Sequence, residues 1–156
     1  MEVRKAQTSD IDELIELNLE VHAIHLRERP EDFKELSAED IRSSLSHVLS
    51  QESAEIFVCC DEEQIIGYIL VRIVTPPGNP VQRVRTFLYV DQIDVKEVYR
   101  RQRVGTLLLD AAKKFAMQQG LELVILDVWE FNREAVSFFR SQGFESRIER
   151  MAMSVR

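Results

Sequence analysis

Cysteine is scarce in this chain: two residues, Cys59 and Cys60, adjacent in the sequence. Neighbours on an extended segment project to opposite faces, which excludes a bridge between them and leaves a fold held together without disulfides. The pair reads as reduced, buried core filler rather than as a nucleophile. No apolar run approaches the roughly 18 residues that a membrane-spanning helix needs. The chain begins Met-Glu-Val-Arg and passes directly into strand-like sequence, without a signal-peptide pattern, so a cytoplasmic location is expected. Glycine and proline are few, at five and four residues, and no low-complexity stretch, internal repeat or interdomain linker occurs; residues 1–156 read as a single domain. Positive charge is also short. A net charge of −7 argues against a general nucleic-acid binder.

That charge is unevenly spread. Residues 1–64 carry 17 acidic and 6 basic side chains, whereas residues 65–156 carry 10 and 14. An acidic first half and a basic second half suit an anionic ligand on one side and a cationic one on the other. The basic half contains the most informative segment. A β-branched, aromatic-rich strand (Arg85 to Val95) runs into the loop Arg100-Arg101-Gln102-Arg103-Val104-Gly105, and an amphipathic helix from Val104 to Gln118 follows at once. A strand that ends in an arginine loop and opens a helix is an anion cradle. Helix-start N–H groups, the helix dipole and forked guanidinium donors all favour phosphate there.

Periodicity places the other elements. Val3 to Ala6 reads as a strand, and Thr8 or Ser9 caps a helix with Ile11, Leu14, Ile15 and Val21 on its apolar face. The pattern breaks at His25 to Phe33, where Pro30 marks a loop, and Ser37 caps a second helix. Ile56 to Cys60 and Ile65 to Val74 read as a hairpin. Leu121 to Val128 reads as a buried parallel strand, Asn132 caps a short helix closed by Gly143, and Phe144 to Val155 looks like two further strands. The order is β-α-α-β-β-β-α-β-α-β-β, an α/β (α+β) fold with a mixed, mostly antiparallel sheet, helices on both faces and a parallel β-α-β core. In such sheets ligands bind beyond the carboxyl ends of the strands, where the arginine loop lies.

Two motifs in this order resemble the GNAT superfamily of acyl-CoA-dependent N-acyltransferases, and the resemblance spans essentially the whole chain. One is the apolar-x-Val strand end Ile93-Asp94-Val95 followed by Arg100 to Gly105. The other is Asn132-x-x-Ala135-x-x-Phe138-Phe139-x-x-x-Gly143-Phe144. The resemblance implies an N-acetyltransferase that uses acetyl-CoA as co-substrate. Arg100, Arg101, Gln102, Arg103, Val104, Gly105 and Thr106 would wrap the pyrophosphate. Backbone groups of Ile93, Asp94 and Val95 would pair with the pantetheine arm, and an N–H near Asp94 would polarise the thioester carbonyl. Asn132, which also reads as a helix cap, and Phe139 would lie along the cofactor. Two departures stand out: Arg103 replaces a loop glycine, and Phe139 replaces a tyrosine that often serves as general acid.

The acceptor would be a small-molecule or peptidyl amine, with the acidic half favouring a cationic one. Asp91 is the candidate base, although pairing with an arginine or capping of a bulge are equal readings. Simple alternation puts Tyr89, Asp91, Ile93 and Val95 on one face and Gln92 and Asp94 on the other. His25, Arg27, Arg29, Phe33 and Tyr89 would line the acceptor mouth, with Trp129 as core or pocket wall. His22 and His25 lie three apart, but no further ligand has metal-site spacing, so no metal is expected. Neither nucleic acid nor membrane is an expected partner, and a homodimer is among the assemblies the resemblance allows. Two rivals remain: an acyl-CoA-binding module without turnover, suggested by Arg103 and Phe139, and a nucleotide-binding domain, which lacks both the Gly-x-x-x-x-Gly-Lys-Ser/Thr and the three-glycine fingerprints.

Overall fold

The computed structural model describes residues 1–156. Five strands, β1 (Glu2–Lys5), β2 (Ala54–Asp61), β3 (Gln64–Val74), β4 (Phe87–Val95) and β5 (Val124–Leu126), lie side by side in chain order. The first four pair antiparallel, and β5 joins β4 in parallel. The parallel step is possible because α3 (Val104–Gln118) carries the chain back across one face of the sheet. The other face is covered by α1 (Ile11–Glu28) and α2 (Ala38–Leu49), while α4 (Arg133–Ser141) follows β5.

Each face of the sheet has its own core. Ile11, Leu14 and Leu17 of α1 and Ile41 and Leu45 of α2 pack on Ile56, Val58, Tyr68 and Leu70. Val104, Leu108, Ala112 and Phe115 of α3, with Phe139 of α4, pack on Phe57, Ile69, Val71, Leu88 and Val90. Cys59 and Cys60 are both free and buried, and they belong to opposite cores, as strand alternation requires.

The helix limits follow from local chemistry, with two corrections. Ser37 Oγ accepts the Asp40 N–H at 3.1 Å and starts α2, and Asn132 Oδ1 accepts the Ala135 N–H at 3.2 Å and starts α4. At α1, however, neither Thr8 nor Ser9 is the cap. Both lie in a 3₁₀ turn, and Asp10 Oδ2 accepts the Gln7 N–H at 2.7 Å. Arg4 grips the same carboxylate at 2.7 and 3.0 Å and holds its pKa below the usual range, so Asp10 is fixed as the residue from which α1 starts, and no side chain caps the helix. Nor does α1 break at His25. It runs on to Glu28, because Pro30 restricts only the residue before it, and Arg29 leaves the helix at φ −141°.

Two strand expectations also change. The strand expected over Leu121 to Val128 pairs only over Val124–Leu126, and Phe144–Arg156 forms no strand at all. Ile148, Met151, Met153 and Val155 are instead exposed. An alternating pattern makes a strand only where a neighbouring edge supplies hydrogen bonds, and this tail has no ladder partner.

Candidate functional site

The short β4–β5 pairing creates a gap. The two strands pair at Leu88–Val124, Tyr89–Ile125 and Val90–Leu126; β4 then continues to Val95 alone on that side. Its backbone orientation is set by β3. Lys96 N–H donates to Ile66 O at 2.9 Å, so antiparallel alternation turns the Ile93 and Val95 backbone groups away from β3 and into the gap, while those of Asp94 face β3. Val95 is already engaged, its N–H by Asp94 Oδ1 at 2.7 Å and its carbonyl by Arg100 Nε at 3.1 Å. Ile93 presents the open part of the edge.

Simple alternation along β4 fails at Asp91. Leu70 is opposite Gln92 and Val71 opposite Val90, so Asp91 is the extra residue of a bulge. Side-chain parity flips beyond it. Ile93 and Val95 join Leu88 and Val90 against the α3 core rather than sharing a face with Tyr89 and Asp91. On the α1 side, Asn18 Nδ2 donates to Tyr68 Oη at 3.1 Å and to Gln92 Oε1 at 2.7 Å, and Tyr68 Oη donates to Gln92 Oε1 at 2.8 Å. Asp94 is only 6% exposed, and its Oδ2 has no hydrogen-bond partner. Burial pushes the Asp94 carboxyl up to about 6, partly opposed by the Val95 N–H and the Arg100 guanidinium.

A polar array stands at the throat of the gap. Arg72 holds both oxygens of Asp91, with Nη2 to Oδ1 at 2.7 Å, and its guanidinium lies 5.7 Å from the Tyr89 ring centre. Tyr89 Oη donates to Asp127 Oδ2 at 3.0 Å. Burial first, and the Asp127 hydrogen bond second, push the Tyr89 phenol up to about 12, so it keeps its proton. Asp91 therefore combines the two roles that competed with catalysis in the sequence: it sits in a bulge and pairs with an arginine.

The arginine loop lies past the end of β4. Arg101 and Arg103 adopt left-handed backbone angles, φ 61° and 68°, so Arg103 takes the glycine-like conformation itself instead of distorting the loop. Both side chains are exposed and neither is ion-paired. No side chain caps α3, and its first turn holds no acid, so its leading N–H groups remain available. Arg100 is turned back to Val95, Gln102 Nε2 donates to Val98 O at 2.9 Å, and Val104 is core. Thr106 is half-buried in the first turn. Gly105 has a packing reason of its own: a Cβ there would meet Phe138 Cζ at 2.8 Å. Phe139 is buried against Phe138 and Phe144, and its ring is core.

The expected acceptor residues come together in part. His25, Phe33, Trp129 and Phe131 form a ring cluster, with Arg29 5.8 Å from the Trp129 ring centre. His22 and His25 are tied to the carbonyls of Lys34 and Val21, at 2.7 and 3.0 Å. Beside the cluster, a cavity of about 310 Å³ lies between Ile24, Arg27 and Glu28 of α1 and Phe131, Asn132 and Glu134. No group of three His, Cys, Asp or Glu side chains is placed to hold a metal ion, and no helix is long and apolar enough to cross a membrane. Sequence reasoning missed Asn18, Tyr68, Arg72, Gln92 and Asp127. Only long-range pairing brings these residues together, and no local pattern marks them.

Comparison with known proteins agrees with this geometry. The profile of the acetyltransferase (GNAT) family matches residues 18–144. The chain is 30% identical to an N-alpha-acetyltransferase of Sulfurisphaera tokodaii over 148 residues, 92% of this chain and 79% of that one. It is 28% identical to human N-acetyltransferase 8 over 107 residues, 68% of this chain but less than half (45%) of that protein. Among solved structures, a mutant of the BH1408 protein of Bacillus halodurans superposes with a TM-score of 0.90 at 25% identity, each chain covered in full (100%). An aminoglycoside 6'-N-acetyltransferase of Acinetobacter haemolyticus shares the fold at a TM-score of 0.79 and 18% identity, over 100% of this chain and 99% of that one. The open β4 edge, the uncapped α3 terminus and the profile match converge: the chain belongs to the GNAT family of acetyltransferases.

Proposed function

We propose that the protein transfers an acetyl group from acetyl-CoA to a primary amine by direct attack within a ternary complex. The observation that carries this reading is the free edge of β4 leading to a loop at the N-terminus of α3 in which Arg101 and Arg103 have no ion-pair partner. Ile93 offers an extended ligand arm a strand-like partner, and its N–H is the donor available to a developing oxyanion. Arg101, Arg103 and the first amides of α3 supply a pyrophosphate site, with Arg100, Gln102, Val104, Gly105 and Thr106 fixing its shape. Asn132 stands at the start of α4 beside the α1 cavity, at the far end of that arm.

The acceptor enters from the α1 side, where Asp91 and Asp127 flank Tyr89. Asp91 is neutralised by Arg72, whereas Asp127 gives one oxygen to Tyr89 and keeps the other free. Asp127 therefore receives the ammonium, and Arg72–Asp91 fixes the bulge that shapes the throat. The ammonium loses a proton towards Asp127, and the nitrogen lone pair bonds to the carbonyl carbon. The C–S bond then breaks with its electron pair on sulfur, and the second proton of the attacking nitrogen, relayed through water, ends on that sulfur to leave the neutral amide and the free thiol. Phe139 has no proton to give, but a thiolate is a good enough leaving group to depart without one.

The reading is tested by thiol release from acetyl-CoA across an amine panel, with calorimetric titration of CoA alongside. Turnover with at least one amine and a drop of about a hundredfold in kcat for Asp127→Asn are expected. Tight CoA binding with no product from any amine would leave the acyl-CoA-binding module as the function. A drop in Asp91→Asn and not in Asp127→Asn would return the base to Asp91.

A further inference from the structure

The chain has a second shell of aromatic rings that belongs to neither core. His22 and His25 come from α1, Phe33 from the α1–α2 connection, and Trp129 and Phe131 from the β5–α4 connection. Successive ring centres are 5.2 to 6.0 Å apart, and Trp129 and Phe131 stack at 26°. None of the five is buried, and Trp129 is 39% exposed. The rings join α1, the α1–α2 connection and the β5–α4 connection outside both apolar clusters. Trp129 lies two residues past Asp127, so the wall begins where the carboxylate at the throat ends.

The charges around the wall restrict what it accepts. Arg72 neutralises Asp91, Arg27 pairs with Glu28 at 3.2 Å and Arg29 pairs with Glu31 at 3.4 Å while covering the Trp129 ring. That leaves Asp127 as the unneutralised carboxylate at the throat, enough for a single ammonium. A polycation entering along the same path would bring its further charges to Arg29 and Arg27, whose carboxylate partners Glu31 and Glu28 are already engaged, with Glu134 beside Arg133 at the adjoining cavity. Of the acids from the first half of the chain, Glu28 and Glu31 reach the wall already paired, and the free carboxylate at the throat, Asp127, comes from the second half.

We infer that the acceptor is a monocationic primary amine carrying an aromatic or large apolar group within a few bonds of the nitrogen, seated with the ammonium on Asp127 and the apolar group on the Phe33–Trp129–Phe131 wall. This placement of the amine rests on the acetyl-transfer reading above. Two sources share the chemistry: a small arylalkylamine, and a peptide whose first residue is large and apolar.

Trp129 is the only tryptophan in the chain, so its emission reports occupancy of the wall without any turnover. The protein, with and without CoA, is titrated with 2-phenylethylamine, with a Phe-initiated dipeptide amide, with ethylamine and with spermidine; kcat and KM are measured for the same four amines. The expected result is saturation by 2-phenylethylamine, the dipeptide amide or both at concentrations about tenfold below those of ethylamine and spermidine, with KM in the same order. Phe33→Ala should raise KM for the ring-bearing amine about fivefold, and by clearly more than it raises the KM of ethylamine. Preference for the peptide over the free amine, or the reverse, identifies the source, and either supports the inference. Spermidine saturating first, or an unchanged aromatic KM in Phe33→Ala, overturns it while leaving acetyl transfer intact. Aromatic amines that shift Trp129 emission yet release no thiol would remove the transfer reading and leave the wall as a binding site.

Discussion

Replacing Asp94 by asparagine separates the electrostatic state of the site from its shape. Asp94 is 6% exposed, with one oxygen on the Val95 N–H and the other unpartnered; its nearest cation is Arg100 at 4.0 Å, and Glu20 opposes its ionisation. Its pKa stands at about 6 in the folded chain, against 3.8 for an ordinary aspartate. Protonation therefore favours the native state. The stabilising contribution is complete below about 3.8 and is lost as the pH rises through about 6. At about 1.4 kcal/mol per pH unit between those limits, the native protein gives up about 3 kcal/mol at neutral pH. Asparagine never ionises, keeps the acceptor for Val95 and buries an amide donor without a partner, at about 1–2 kcal/mol independent of pH. Asp94→Asn should thus be less stable than the natural protein at pH 4 by about 1–2 kcal/mol and more stable at pH 8 by about the same margin. Denaturant unfolding at a series of pH values, with unchanged slopes against denaturant, measures the crossing directly. A stability difference that stays constant from pH 4 to pH 8 would refute the reasoning, because it would mean that Asp94 ionises alike in both states.

Three further outcomes follow from geometry. Arg103→Gly removes about 1–2 kcal/mol of left-handed strain but loosens the unfolded chain by about 0.4–1 kcal/mol, so stability should rise slightly; CoA affinity should fall several-fold at low salt and depend less on salt, and an unchanged salt dependence would show that Arg103 does not meet the phosphates. Gly67→Ala places a Cβ 2.7 Å from the Asp94 carbonyl oxygen, a backbone atom that cannot move alone, and should lower stability by about 2–3 kcal/mol in thermal or denaturant melts. Gly105→Ala meets only the tip of the Phe138 ring at 2.8 Å, which can swing, so the loss should be nearer 1 kcal/mol; the reverse order of the two alanine variants would contradict the packing described.

Much of the fold is written locally. The limits of α3, Val104 to Gln118, follow from its apolar stripe and the glycine beyond it; Ser37 and Asn132 cap as their positions indicate; and the arginine loop is legible because its residues are contiguous. Such features depend on neighbours a few residues away, which the chain order itself provides. The acceptor side was only partly legible. His25, Arg29, Phe33 and Tyr89 were in place as candidates, but their partners Trp129, Phe131, Arg72 and Asp127 arrive from other segments.

The sequence by itself determined the strand–arginine-loop–helix segment, through short-range periodicity, and the family, through the resemblance of its two contiguous motifs, together with the two places where they depart from the pattern. Tertiary structure alone decided the rest. One bulge at Asp91 reversed the facing of every side chain beyond it on β4, because a strand has a period of two and a single extra residue inverts it. Arg72 claimed Asp91 across that bulge, and β5 stopped at Leu126, opening the gap. The tail shows the same rule from the other side: its alternation asked for strands, but no edge received it.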